Sequence, residues 1–120
     1  MNAAPLDATV LDALAAELED PTAFARLVRD FLDRLGDRCE AVVNAADAEE
    51  LAAAARSLES AGGTFGAVEV ARIATDLEAI GAAGEDAPPP LLDELLHAAE
   101  AARVALEARV AEAEAQAGQG

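Results

Sequence analysis

The sequence predicts an all-α fold: an up-down-up-down bundle of four helices with a short extra N-terminal helix across one end. Composition is the first reason. Apolar residues make up 53% of the chain, yet only 2% is aromatic, with three Phe and no Trp or Tyr. Much of the apolar content is alanine, the best helix former, whereas a β sandwich would draw on β-branched and aromatic residues. Periodicity is the second reason: apolar residues recur at three- and four-residue spacing, and no stretch alternates as a strand would. The third is that the connections are short, which favours antiparallel neighbours. A chain of 120 residues is read as one domain, with an ordered core over about residues 7–112 and a flexible acidic C-terminal tail.

The first helix, Asp7 to Leu18, places Val10, Leu11, Leu14 and Leu18 on one face. "EDP" stops it and starts the second, with Asp20 as N-cap and Pro21 at the first helical position, where a missing N–H costs nothing. That helix runs to about Ala45 and carries Phe24, Leu27, Val28, Phe31, Leu35, Val42 and Val43 at helical spacing, with Gly36 weakening it only locally. "NAADAEEL" opens the third helix, because Asp47 with Glu50 three residues on is a capping-box signature. Its inward stripe is Leu51, Ala55, Leu58 and Gly62, and "GGTFG" ends it through Gly63 or Gly66. The fourth helix, from about Ala67, aligns Val70, Ile73, Ala74, Leu77 and Ile80 and closes at "GAAGED". Pro88 to Pro90 lead rigidly into the fifth, where Leu91, Leu92, Leu95, Leu96, Ala99, Leu106 and Val110 pack. Beyond about Ala111 the large apolar residues run out, and fraying is expected.

Charge narrows the partners. All eight basic residues are Arg against 24 acidic ones, a formal net charge of -16. Such a surface repels nucleic-acid phosphates and anionic membranes, but leaves room for a partner with a basic rim. No window is apolar enough to span a membrane, and "MNAAPLDATV" lacks the basic-then-apolar order of a secretory signal, so the expected location is cytoplasmic. Cys39 stands alone, which excludes an intrachain disulfide and reads as a small buried side chain. Carboxylates are plentiful but scattered, with no metal-ligand spacing, and no cofactor is implied.

One surface feature carries the functional question. Ala48, Ala52, Arg56, Ser60 and Gly63 share a stripe of the third helix, about 100° round from its core stripe. Every neighbour of Arg56 along it is small, so a single long cation stands on a surface that another protein can approach closely. Glu59, three residues on, is near enough to interact with it.

The run "RSLESAGGTFGA", Arg56 to Ala67, resembles the phosphoacceptor segment of histidine-containing phosphotransfer (HPt) domains. There the pattern reads His-x-Leu-Lys-Gly-(Ser/Ala)-(Ser/Ala)-x-x-(aromatic or Leu)-Gly-Ala, and Leu58, Ala61, Phe65, Gly66 and Ala67 match it without a gap. "DPTAFARLVRDFLDRL", "AADAEEL" and "ARIATDLEAIGAAG" are similar to the family's preceding helix, connection and following helix, so the resemblance covers roughly Leu11 to Leu106. It implies the same bundle fold and a place in two-component or phosphorelay signalling. The departures are equally specific: Arg56 stands at the phosphoacceptor-equivalent position, Glu59 where the family has Lys, and Ser60 where it has Gly. A neutral imidazole nitrogen is a nucleophile near neutral pH, whereas a guanidinium stays protonated and has no free lone pair. Glu59 also reverses the charge beside an incoming phosphoryl group.

These residues predict a pseudo-HPt module that binds a receiver domain, of a response regulator or hybrid kinase, without accepting a phosphoryl group. The partner-binding residues are Ala52, Arg56, Glu59, Ser60 and Gly63, with Arg56 meeting the acidic pocket that receivers of the family carry. The alternative is an HPt-fold protein reused for an unrelated partner or for self-association, so that monomer and weak homodimer both stay open. His97, the one histidine, has no small-residue platform around it and reads as a surface or boundary residue. Ser57, Ser60 and Thr64 lack a base at recognisable spacing, and no catalytic residue is assigned.

Overall fold

A computed structural model describes residues 4–119. Five helices follow one another: α1 (Ala8–Leu18), α2 (Pro21–Val43), α3 (Ala48–Thr64), α4 (Val68–Ala82) and α5 (Pro89–Gln119). No strand occurs among the described residues. The start signals act as the sequence implies. Asp7, Asp20 and Asp47 each accept a hydrogen bond from the first-turn backbone, on the N–H of Thr9, Thr22 and Glu50 at 2.9, 2.9 and 2.8 Å. Glu50 reaches back as a capping box does, but its carboxylate accepts from Ala46 N–H at 2.8 Å, one residue before the cap.

The four long helices form a closed ring of neighbours: α2 packs on α3 and α5, and α4 packs on α3 and α5. Their inner faces bury Val28, Phe31, Leu58, Ile73, Leu77, Leu95, Leu106 and Val110 almost completely, and Leu11 of α1 joins them. All four residues of the expected α3 stripe are buried. No buried side-chain nitrogen or oxygen lacks a partner among the described residues, so the core makes no unmet polar demand. Burial pushes the Cys39 thiol up to about 11 and leaves it inert.

Several boundaries differ from the sequence reading, each for a physical reason. Leu27, Val43 and Leu96, read as packing residues, are 37, 39 and 47% exposed, because each lies at the edge of an apolar stripe wider than the contact it makes. Helix α5 continues past Ala111 to Gln119, with Ala113 buried and Glu114 bound to Arg29 of α2 at 2.9 Å. Alanine and small contacts across α2 thus extend the helix where large apolar residues run out. Of the two glycines offered to end α3, Gly66 takes the left-handed conformation (φ 69°), while Gly63 stays inside the helix. The Gly66 carbonyl accepts from Asp7 N–H at 2.8 Å, and an added Cβ would meet the Asp7 carbonyl at 2.9 Å. Glycine there serves both the turn and the docking of the N-terminal segment. No described helix is long and apolar enough to cross a membrane.

Candidate functional site

Only Phe65, Gly66 and Ala67 separate α3 from α4, so the two helices return as a tight antiparallel hairpin. Their approach is set at Gly81. A Cβ built there would lie 2.7 Å from both the Ala48 carbonyl oxygen and the Ala52 nitrogen, so the backbones touch where any side chain would hold them apart. Nearer the turn, Gly62 of α3 faces Ala71 of α4 at 3.6 Å by the same measure. Phe65 then stacks on Phe31 of α2, ring centroids 4.6 Å apart, which anchors the hairpin end to the rest of the bundle.

This approach revises the small-residue stripe. Ala48 and Ala52 are half-buried against α4 at Gly81, so that end of the stripe is used inside the molecule. Arg56, Ser60 and Gly63 remain exposed. The expected partner of Arg56 is revised too. Among the described ion pairs it bonds Glu78 of α4, with Nε 3.0 Å from Oε1, and not Glu59 of its own helix. Glu59 lies C-terminal to Arg56, the less favourable order for a pair within one helix, whereas the Gly81 contact brings α4 and its Glu78 carboxylate close across the seam.

Glu59 and Glu78 instead form a carboxyl pair. Their mutual hydrogen bond holds the Glu59 carboxyl above the ordinary carboxylate value, helped by desolvation and the Glu78 charge, and opposed by Thr75 and Arg56. The same bond, then the one from Arg56, holds Glu78 below it. Glu78, the member held low, is the one fixed on Arg56. The Arg56 side chain is 78% exposed, and its terminal guanidinium nitrogens have no hydrogen-bond partner among the described residues. The guanidinium is thus held by the protein at Nε alone among the described hydrogen bonds.

Ser57, Ser60 and Thr64 line a shallow groove between α3 and α2 with Arg38, and the Thr64 hydroxyl donates to the Ser60 carbonyl at 3.0 Å. His97 lies on α5, exposed, with Nδ1 2.8 Å from the Asp93 carbonyl oxygen, and the geometry brings it to none of the residues above. Among the described residues no group of His, Cys, Asp and Glu has the geometry of a metal site. Sequence reasoning missed Glu78 and Thr75. Their signal was present: Ala71, Thr75, Glu78 and Gly81 recur every three or four residues, a mostly small-residue seam ending in glycine.

The Hpt domain family model matches residues 22–116. The crystal structure of histidine-containing phosphotransfer protein B (HptB) from Pseudomonas aeruginosa PAO1 superposes with a TM-score of 0.83 at 23% identity, covering 92% of this chain and 98% of that one. That likeness is one of fold. No curated protein sequence matches the chain.

Proposed function

The chain belongs to the Hpt domain family, and from that premise we propose that it is a pseudo-HPt signalling module, which docks a receiver domain through the Arg56 face and accepts no phosphoryl group. The whole chain is read as one such domain, an up-down-up-down bundle with α1 across one end; the ring of contacts and the short connections support that reading. The observation that carries the function is the state of Arg56. Glu78 fixes its Nε, and both terminal nitrogens of this 78% exposed side chain have no hydrogen-bond partner among the described residues. Such a half-held guanidinium is prepared to bind carboxylates in bidentate fashion, and less side-chain entropy is lost when it does so. Receiver domains present an acidic pocket around their phosphorylated aspartate, which supplies those carboxylates.

Chemistry at the same point disfavours phosphoryl acceptance. The guanidinium offers no lone pair for nucleophilic attack. Glu59 and Glu78 add carboxyl groups where a dianionic group would sit, and like charges there oppose it. Glu59, Ser60 and Gly63 complete the proposed surface, with the exposed Ser60 and Gly63 admitting a close partner; Ala52, expected there, is half-buried against α4 at Gly81. Self-association through this stripe is the weaker reading, since α4 already covers its Ala48–Ala52 end and the charge of -16 opposes pairing of two copies.

Titration of the chain with receiver domains from the same organism tests the proposal. Arg56→Glu should weaken binding by at least about tenfold, as loss of a charge pair does, and added salt should weaken the wild-type complex. Equal affinity of wild type and Arg56→Glu would overturn it.

A further inference from the structure

The opposite side of the ring carries a second surface that the Arg56 face does not account for. Between α2 and α5 lies an open groove of about 570 Å³, with Leu32, Leu35, Cys39 and Val43 on one wall and Leu96 and Ala99 on the other. Leu96 and Val43 are among the large apolar side chains the fold leaves exposed, at 47 and 39%. Gly36 forms part of its floor, in mid-helix, where glycine costs about 1 kcal/mol relative to alanine. Nothing lies within 4 Å of a Cβ added at Gly36. No internal contact therefore calls for glycine, and what its absent side chain provides is space in the groove.

The rim is acidic on both sides. Asp33 and Glu40, three residues before and four after Gly36, share its flank of α2 and are exposed. On α5, Asp93, Glu100 and Glu107 follow one another at heptad spacing and are exposed as well. The one cation lining the groove, Arg103, is tied to Glu100 and Glu107, so these three side chains together carry one net negative charge, and Asp93 adds a carboxylate with no ion pair among the described residues. Arg34 and Arg38 lie two residues either side of Gly36, hence on the far side of α2. Arg34 pairs there with Asp30, and Arg38 lines the α2–α3 groove.

We infer that the α2–α5 groove is a docking site for a cationic amphipathic helix of a partner protein. An apolar floor between two acidic rims complements a helix with an apolar stripe and lysine or arginine on both flanks. From Leu32 to Asn44 the groove follows α2 for about 18 Å, some three turns of a bound helix, room for two or three apolar anchors. A second copy of this chain carries the same net charge of -16 and the same acidic rims, so it is opposed. The site shares no residue with the Arg56 face, and both surfaces can be engaged at once.

The test uses three synthetic helical peptides about 15 residues long, binding read by fluorescence anisotropy. The first has leucine at i, i+3, i+4 and i+7 with lysine elsewhere; the second replaces lysine with glutamate, and the third replaces leucine with serine. The first should bind and the other two should not. Gly36→Leu, whose Cβ meets nothing within 4 Å, and Leu96→Lys, at an exposed position, should each weaken binding by at least about tenfold, and Arg56→Glu should leave it unchanged. Circular dichroism verifies the fold of each variant, and Leu96→Lys decides alone if Gly36→Leu does not fold. Equal binding of the serine peptide, indifference to both groove variants, or loss of binding in Arg56→Glu would overturn the inference. So would a wild-type dimer in sedimentation that Gly36→Leu or Leu96→Lys dissolves.

Discussion

Replacing Gly81 with alanine adds one methyl group, and the contact it would make decides the outcome. Its Cβ would stand 2.7 Å from the Ala48 carbonyl oxygen and the Ala52 nitrogen and 3.1 Å from the Ala52 Cα, against ordinary contact beginning at 3.4 Å. All three atoms are backbone, so no rotamer change relieves the overlap, and α3 has to move off α4 by roughly the missing 0.7 Å. Overpacking of this kind costs about 1–3 kcal/mol. The helix propensity gained on replacing glycine, at most about 1 kcal/mol and less in the last turn of α4, offsets only part of it. A net loss of about 1–2 kcal/mol lowers Tm by roughly 4–10 °C for a domain of this size. Thermal and denaturant unfolding followed by circular dichroism measure it. Gly81→Ala as stable as the wild type, or more so, would refute the backbone-contact account of the α3–α4 seam, and with it the reason given for Arg56 meeting Glu78.

The opposite sign is expected at Gly36, where a Cβ meets nothing within 4 Å: Gly36→Ala should stabilise the fold by about 0.5–1 kcal/mol in the same assay. In a carbon-detected NMR titration Glu59 should ionise above the ordinary carboxylate value and Glu78 below it, and Arg56→Ala should move both upward, since the guanidinium lowers each. The linked stability terms oppose each other. Acidification through the low Glu78 value removes a stabilising contribution, whereas raising the pH through the elevated Glu59 value removes the advantage of its protonated form. Cys39, with its thiol at about 11, should react with iodoacetamide at pH 8 at least about a hundredfold more slowly than a free thiol, as mass spectrometry will read.

The periodicity of Leu51, Ala55, Leu58 and Gly62 was enough to place α3 and its buried face, because burial of that stripe is what holds the helix in the fold. The caps at Asp20 and Asp47 were legible for a similar reason, since each bond spans two or three residues of local chain. The partner of Arg56 was not legible. Its selection depends on how close two helices come, and a methyl group at Gly81 would change that distance. The far end of α5 was hidden too, because alanines such as Ala113 bury little surface and leave a weak pattern. Arg56 itself was visible in sequence as a lone cation on a small-residue stripe; that its Nε is held required the α4 carboxylate.

The central claim is docking without phosphoryl acceptance at Arg56, and label transfer tests it most directly. A receiver domain carrying radiolabelled phosphoryl on its aspartate is mixed with this chain, and complex formation and the fate of the label are read together. A complex that Arg56→Glu weakens by at least about tenfold is expected, with no label appearing on this chain. Label on the chain, in the wild type or in His97→Ala, or a complex indifferent to Arg56, would contradict it.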